Sequence, residues 1–88
     1  MRVPLGRLVA TPAALALLRK HGMDVFVPVQ RHQTGDWGDV DKSDAQANED
    51  AMRHGNRLLS VYKLGDEKIW IITEADRSST CVMTPQDY

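Results

Sequence analysis

The sequence predicts an α+β domain. Its core is a three- or four-stranded, mainly antiparallel sheet with two to three helices on one face, in the order β-α-α-α-β-β-β. Three observations predict it. Residues 57–84 hold three strand-like runs separated by turn signals. Residues 11–22 hold an alanine–leucine run with clear helix start and stop signals. The chain has 88 residues, 42% apolar and 26% charged, which suits one small core and excludes a disordered or collagen-like chain.

Leu5–Ala10 reads as a short first strand, with Leu8, Val9 and Ala10 apolar. Thr11-Pro12 then opens a helix: the threonine hydroxyl accepts from a free amide, and proline fits the first helical position. Ala13 to Leu18 carries high helix propensity, Arg19, Lys20 and His21 suit the negative end of the dipole, and Gly22 is a natural stop. Next, Pro28 forbids a central strand over Val25–Gln33, so a short helix is expected from Pro28 to Thr34-Gly35, with Val25 and Phe26 packing under it. Gly35-Asp36-Trp37-Gly38 is a turn that runs on as a loop through Lys42. Ser43-Asp44-Ala45-Gln46 has the spacing of a capping box, which predicts a helix from about Asp44 to His54 with a stop at Gly55-Asn56. Ala47, Ala51 and Met52 form its thin apolar face, and Glu49–Arg53 is a favourable i, i+4 pair.

Arg57–Leu64 and Lys68–Ala75 are strand runs joined by Gly65-Asp66-Glu67, and Thr80–Thr84 is a third run that Pro85 ends. Alternation puts Leu58, Ser60, Tyr62 and Leu64 on one face and Leu59 and Val61 on the other. Likewise Trp70, Ile72 and Glu74 oppose Ile69, Ile71 and Thr73. Both faces are therefore apolar in places, as when helices cover one side and a loop or a partner covers part of the other.

The longest apolar run, Ala13–Leu18, is far short of the roughly 20 residues that cross a bilayer, and residues 1–7 lack the apolar stretch of a secretory signal. Cys81 is the sole cysteine, so no internal disulfide forms, and a cytoplasmic location is expected. The net charge of -1 argues against non-specific nucleic-acid binding. It hides an asymmetry: residues 1–34 balance at +4, residues 35–55 at -4 and the rest at -1. Either the first two segments neutralise one another or they form separate faces, one of which steers a charged partner.

Chemistry-bearing patterns are sparse. His21, His32, His54 and Cys81 show no zinc-ligand spacing. Asp39-x-Asp41-x-Ser43 imitates a calcium loop, but Asp44 stands where that loop needs glycine and Asp50 where it needs a bidentate glutamate. No P-loop, dinucleotide fingerprint or nucleophile elbow is present, so neither a metal nor a cofactor is expected. The richest polar cluster is Thr73–Thr80, with Glu74, Asp76, Arg77, Ser78 and Ser79 at a hairpin end. Either it is turn chemistry, or it recognises an anion or partner with Arg77 as anchor. Trp37, between two glycines, is either a lid on the core or an exposed binding anchor. Asn48 falls on the inner side of its helix and must find partners there.

Gly35-Asp36-Trp37-Gly38, Asn48, Gly55-x-Arg57-x-Leu59-Ser60-x-Tyr62 and Ile71–Thr80 together resemble a family of short bacterial proteins called plasmid-related, carried on plasmids and integrative elements. The resemblance covers most of the chain. It implies a mobile-element setting in a bacterial cytoplasm and carries no catalytic role. The expectation is a non-enzymatic module that binds a protein through Trp37, Asn48, Glu74, Asp76, Arg77, Ser78 and Ser79, in one form an inhibitor of a host defence system. The alternative is a small toxin-type endoribonuclease using His54, Arg57, Glu74 and Arg77. Its weakness is charge, since phosphate contacts dominate RNA affinity and favour basic chains.

Overall fold

The computed structural model describes residues 2–88. In chain order they form β1 (Arg7–Ala10), α1 (Pro12–Lys20), α2 (Phe26–Gln33), α3 (Lys42–His54), β2 (Leu58–Leu64), β3 (Glu67–Thr73) and β4 (Ser79–Met83), followed by a 3-10 turn over Pro85–Asp87. The strands make one mixed sheet ordered β1-β4-β3-β2, in which only the β1–β4 pair is parallel. This is the α+β fold that the strand runs and the alanine–leucine helix predict.

Register sorts the side chains onto two faces. Leu58, Thr73, Thr80 and Leu8 lie in one row, and Ser60, Ile71, Val82 and Ala10 in the next. This inner face meets Leu17 and Leu18 of α1 and Val29 of α2 in the main core. Val3, Trp37, Ala51 and Leu58 form a second core at the α3 side. Burying a leucine or isoleucine in such a core stabilises by roughly 1.5–3 kcal/mol.

The helix signals are mostly borne out. Thr11 Oγ1 accepts from Ala14 N at 3.1 Å, and Gly55, at φ +72°, ends α3 in the left-handed conformation. Four expectations need correction. First, α2 begins at Phe26 instead of Pro28. Proline is tolerated in a first turn, whose amides have no helical partner, and Asp24 Oδ1 accepts from Phe26 N at 2.8 Å. Phe26 is therefore 63% exposed and does not pack beneath the helix. Second, Asp41, not Ser43, caps α3, accepting from Asp44 N at 2.8 Å. An aspartate caps as well as a serine, and its charge also suits the helix dipole. The inner face of α3 is then Ala45, Asn48, Ala51 and Met52, with Ala47 exposed. Third, Glu49 accepts from Trp37 Nε1 at 2.8 Å instead of pairing with Arg53. Fourth, the β2–β3 loop has two residues, Gly65-Asp66, because Leu64 and Glu67 pair across it. Gly65, at φ +62°, holds the first loop position, where a two-residue hairpin accepts glycine.

The strand limits shift by small steps. β1 starts at Arg7, not Leu5, since Gly6 turns at φ +62° against the carbonyls of Arg77 and Ser78.

The outer edge of β2 is closed at every second residue. Leu59 N donates to Asn48 Oδ1 at 3.0 Å, and Leu59 O accepts from Asn48 Nδ2 at 2.7 Å. Val61 N donates to Trp37 O at 3.1 Å, and Val61 O accepts from Asp39 N at 2.6 Å. Lys63 N donates to Asp39 Oδ2 at 3.1 Å. Gly38 bridges to Val61, so close that a side chain there would collide with the Val61 carbonyl and the Tyr62 ring.

Candidate functional site

The face of the sheet turned away from the helices carries a continuous apolar surface. Val61 pairs with Trp70 and Trp70 with Met83; Leu59 pairs with Ile72, Ile72 with Cys81, and Cys81 with Val9. None of these seven belongs to either core. Ile72 is buried and Val9 is 38% exposed, with the other five half-buried. The rim is basic. Lys63 and Lys68 lie directly opposite one another at one end, Arg57 and Arg7 at the other, all four exposed. Of these four, only Arg57 has an ion-pair partner among the described residues, Glu74 at 3.5 Å. Like charges directly opposite in a sheet repel, so the lysine pair is a local cost that an acidic group on this face would offset.

One corner of the open face is built up. Tyr88 lies over Trp70 with ring centroids 5.6 Å apart. Arg57 sits 5.7 Å from the Tyr88 ring centroid and donates from Nη1 to its hydroxyl at 3.1 Å. These side chains, with Leu58, Leu59 and Ile72, line an apolar cavity of about 280 Å³. That is just under the roughly 300–1,000 Å³ of pockets for drug-sized ligands, and suits a single side chain. Desolvation first, then the Asp87 and Glu74 carboxylates, push the Cys81 thiol above its ordinary value, which disfavours the thiolate.

The hairpin cluster predicted from sequence is divided. Glu74 joins Arg57 at the open face. Arg77 turns the other way: Nη1 donates to the carbonyls of Asn56 (2.6 Å), Glu74 (3.1 Å) and Ala75 (3.2 Å), and Nη2 to that of Ala51 (3.0 Å). The guanidinium thus clamps the C-terminus of α3, where the dipole favours a cation, to the β3–β4 turn. It does so from a left-handed backbone, φ 60°, the one non-glycine residue so placed among those described. Asp76 Oδ1 accepts from Ser78 N at 3.0 Å, an ordinary aspartate turn. Ser78 is exposed, and Ser79 opens β4. His54 is exposed in the last turn of α3, and no hydrogen bond joins it to Arg57, Glu74 or Arg77.

Trp37 and Asn48 are both buried. Trp37 keeps 6% of its surface exposed and meets the His32 ring edge-on at 5.8 Å. Asn48 closes the β2 edge, both ends of its amide bonded to Leu59.

A feature that motif reading misses lies beneath the sheet. His32, fully buried, has Nδ1 2.6 Å from Ser60 Oγ and Nε2 2.8 Å from Thr73 Oγ1. Thr73 Oγ1 is 2.7 Å from Thr80 Oγ1, which donates to Leu5 O at 2.8 Å. A carbonyl only accepts, so the protons run one way. Thr80 donates to Leu5, Thr73 to Thr80, His32 Nε2–H to Thr73, and Ser60 to the bare Nδ1. The ring is neutral, and desolvation, aided by the Arg77 charge, lowers its pKa to about 4. The signal was available, because His32 follows Pro28 and Val29 at helical spacing on the buried stripe.

Among the described residues, no three His, Cys, Asp or Glu side chains gather as a metal site, and no helix is long and apolar enough to cross a membrane. Comparison with protein-family models, curated proteins and solved structures finds no match to this chain.

Proposed function

We propose that this protein is a non-enzymatic binding module whose open sheet face takes an acidic protein partner. The observation that carries it is the seven-residue apolar surface outside both cores, rimmed by Arg7, Arg57, Lys63 and Lys68, with the Glu74 and Asp87 carboxylates near Cys81. Charge complementarity calls for carboxylates on the partner, which steer encounter and fix orientation. The surface favours protein over single-stranded nucleic acid. Base stacking needs successive aromatic platforms, whereas Val9, Leu59, Val61, Ile72 and Met83 are aliphatic. The Trp70–Tyr88 cavity is the natural anchor point, since buried aromatic pockets carry most of the energy of an interface. The sequence resemblance to plasmid-related proteins supports a bacterial host protein as the partner in this proposal, with a defence factor as the first case to test. No observation favours the ribonuclease alternative, in which Arg77 would have to leave four carbonyls to meet a phosphate.

The test is affinity capture from bacterial lysate at low ionic strength, with the retained protein identified by mass spectrometry. An acidic protein is expected that salt elutes. Leu59→Asp and Trp70→Ala should weaken its binding by about tenfold or more, while Arg53→Ala on α3 leaves it unchanged. Equal capture by folded face variants, or capture abolished by ribonuclease, overturns the proposal.

A further inference from the structure

The two outer edges of the sheet are treated differently, and the difference points to a second binding site. At β2 the outward backbone groups of Leu59, Val61 and Lys63 find partners in Asn48, Trp37 and Asp39. At β1, Arg7 N and Thr11 N donate inward, to Ser78 O and Val82 O of the β4 side, so the alternate residues Leu8 and Ala10 aim their N–H and C=O outward. Among the described residues nothing bonds to them. Unpaired edges are sites where another strand adds, and proteins ordinarily blunt them.

We infer that the β1 edge pairs antiparallel with β1 of a second copy of this chain, across a two-fold axis at Val9. Local chemistry selects that register. Pairing Leu8 with Leu8 would bring Gly6 into the ladder, and Gly6 leaves the extended conformation at φ +62°. Pairing Ala10 with Ala10 would require an amide from Pro12, which has none. Pairing Leu8 with Ala10 of the other copy meets neither obstacle and closes a ladder between the outward groups of both copies. It also sets the two Val9 side chains, each 38% exposed, against one another on the open face.

Charge complementarity supports a second copy over an unrelated strand. The same register puts Arg7 opposite Thr11 of the other copy. Thr11 Oγ1 donates at 2.7 Å to Asp87 Oδ2. Oδ2 also accepts from Thr84 N and Thr84 Oγ1, both at 2.9 Å, and Oδ1 has no partner among the described residues. Arg7, exposed, has no carboxylate partner among the described residues. Each free cation therefore comes beside a half-used carboxylate at both ends of a four-residue strand. The contact is small against the roughly 1,600 Å² of a standard interface, so the dimer is weak and concentration-dependent.

Sedimentation velocity across micromolar to millimolar concentration, together with amide hydrogen exchange, tests this. Wild type should pass from monomer to dimer. The Leu8 and Ala10 amides should slow as it does, while those of Leu59, Val61 and Lys63 stay protected throughout. Val9→Lys sets two like charges on the axis and should abolish the dimer. Arg7→Glu, facing Asp87, should weaken it by about tenfold or more. Circular dichroism establishes that both variants fold. A protein that stays monomeric at millimolar concentration leaves this edge to some other strand and overturns the inference. So does a dimer that survives Val9→Lys or leaves Leu8 and Ala10 exchange unchanged. Trp70→Ala, which removes the partner cavity on the open face, should leave the dimer intact, so this result is read separately from the capture experiment.

Discussion

The β2 edge and the β1 edge belong to one sheet of four strands, yet they are held by different means. Around β2, side chains supply the bonds that a fifth strand would have made: Asn48 spans Leu59, and Asp39 reaches Lys63. Around β1, only the ladder to β4 and the half-buried Leu8 and Ala10 hold the strand. The contrast teaches that a short chain with limited core can still specify one sheet edge by polar means, provided a buried amide meets both a donor and an acceptor. Leaving the other edge bare then marks it as a place for interaction rather than a fault of packing.

The largest expected effect breaks the closed edge. Asn48→Leu keeps the bulk but strands the amide and carbonyl of Leu59 against an apolar side chain. At roughly 1–3 kcal/mol per orphaned group, the loss should be about 4 kcal/mol in urea unfolding. A loss below about 1 kcal/mol would show that water satisfies Leu59 and that Asn48 is dispensable there.

Next comes the proton chain beneath β2 and β3. The folded pKa of His32, about 4, lies below the ordinary 6.5, so the unfolded chain binds the extra proton first as pH falls. Its stabilising effect is complete above pH 6.5 and is lost as pH falls toward 4, about 3 kcal/mol in all. Bonded carboxylates such as Asp36 and Asp87 also have lowered pKa values and lose their share at lower pH. Unfolding midpoints between pH 6.5 and 5 should slope for wild type and be flat for His32→Gln. Matching slopes would refute the proton assignment.

Arg77→Ala releases α3 from the turn and should cost about 2 kcal/mol. Arg77→Gly should cost about 1 kcal/mol less than alanine, since glycine accepts φ 60° without strain. Thermal melts of the pair separate clamp from strain, and equal melting would remove strain from the account.

The smallest effect is on the open edge. Val9→Lys should change monomer stability by no more than about 0.5 kcal/mol, because the side chain already faces solvent. A large loss measured in dilute solution would mean that β1 is held more firmly than its bonds indicate.

Much of the fold is legible in the sequence because local rules act alone there. Thr11-Pro12 starts α1 and Gly55 stops α3 through bonds a few residues long. Alternation correctly separates Leu59, Val61, Trp70 and Ile72 from the helix-covered face. What fails is decided by distant contacts. Glu49 has a good neighbour in Arg53, but an indole N–H from the preceding loop claims it. Ser43 has the spacing of a cap, yet Asp41 stands in extended conformation two residues earlier. The site is less legible than the fold. The hairpin polar cluster draws the eye, but Arg77 spends its hydrogen bonds on the chain's own carbonyls. The open face is made of ordinary apolar residues, which become informative only once the covered side is known.

The parallel pairing of β1 with β4 has a kinetic consequence. Arg7 finds Ser79 and Ala10 finds Val82, about seventy residues downstream, whereas β2 and β3 meet across a two-residue turn. Closing so long a loop is entropically slow relative to zipping a hairpin, so β1 docks late. On a ribosome adding roughly 5–20 residues per second, this strand waits several seconds with both edges bare before β4 emerges. Substitutions in β1 should then change the unfolding rate and scarcely touch the folding rate. Throughout that interval, the order of events in synthesis leaves Arg7–Ala10 without its β4 partner and open to pairing with a neighbouring nascent chain.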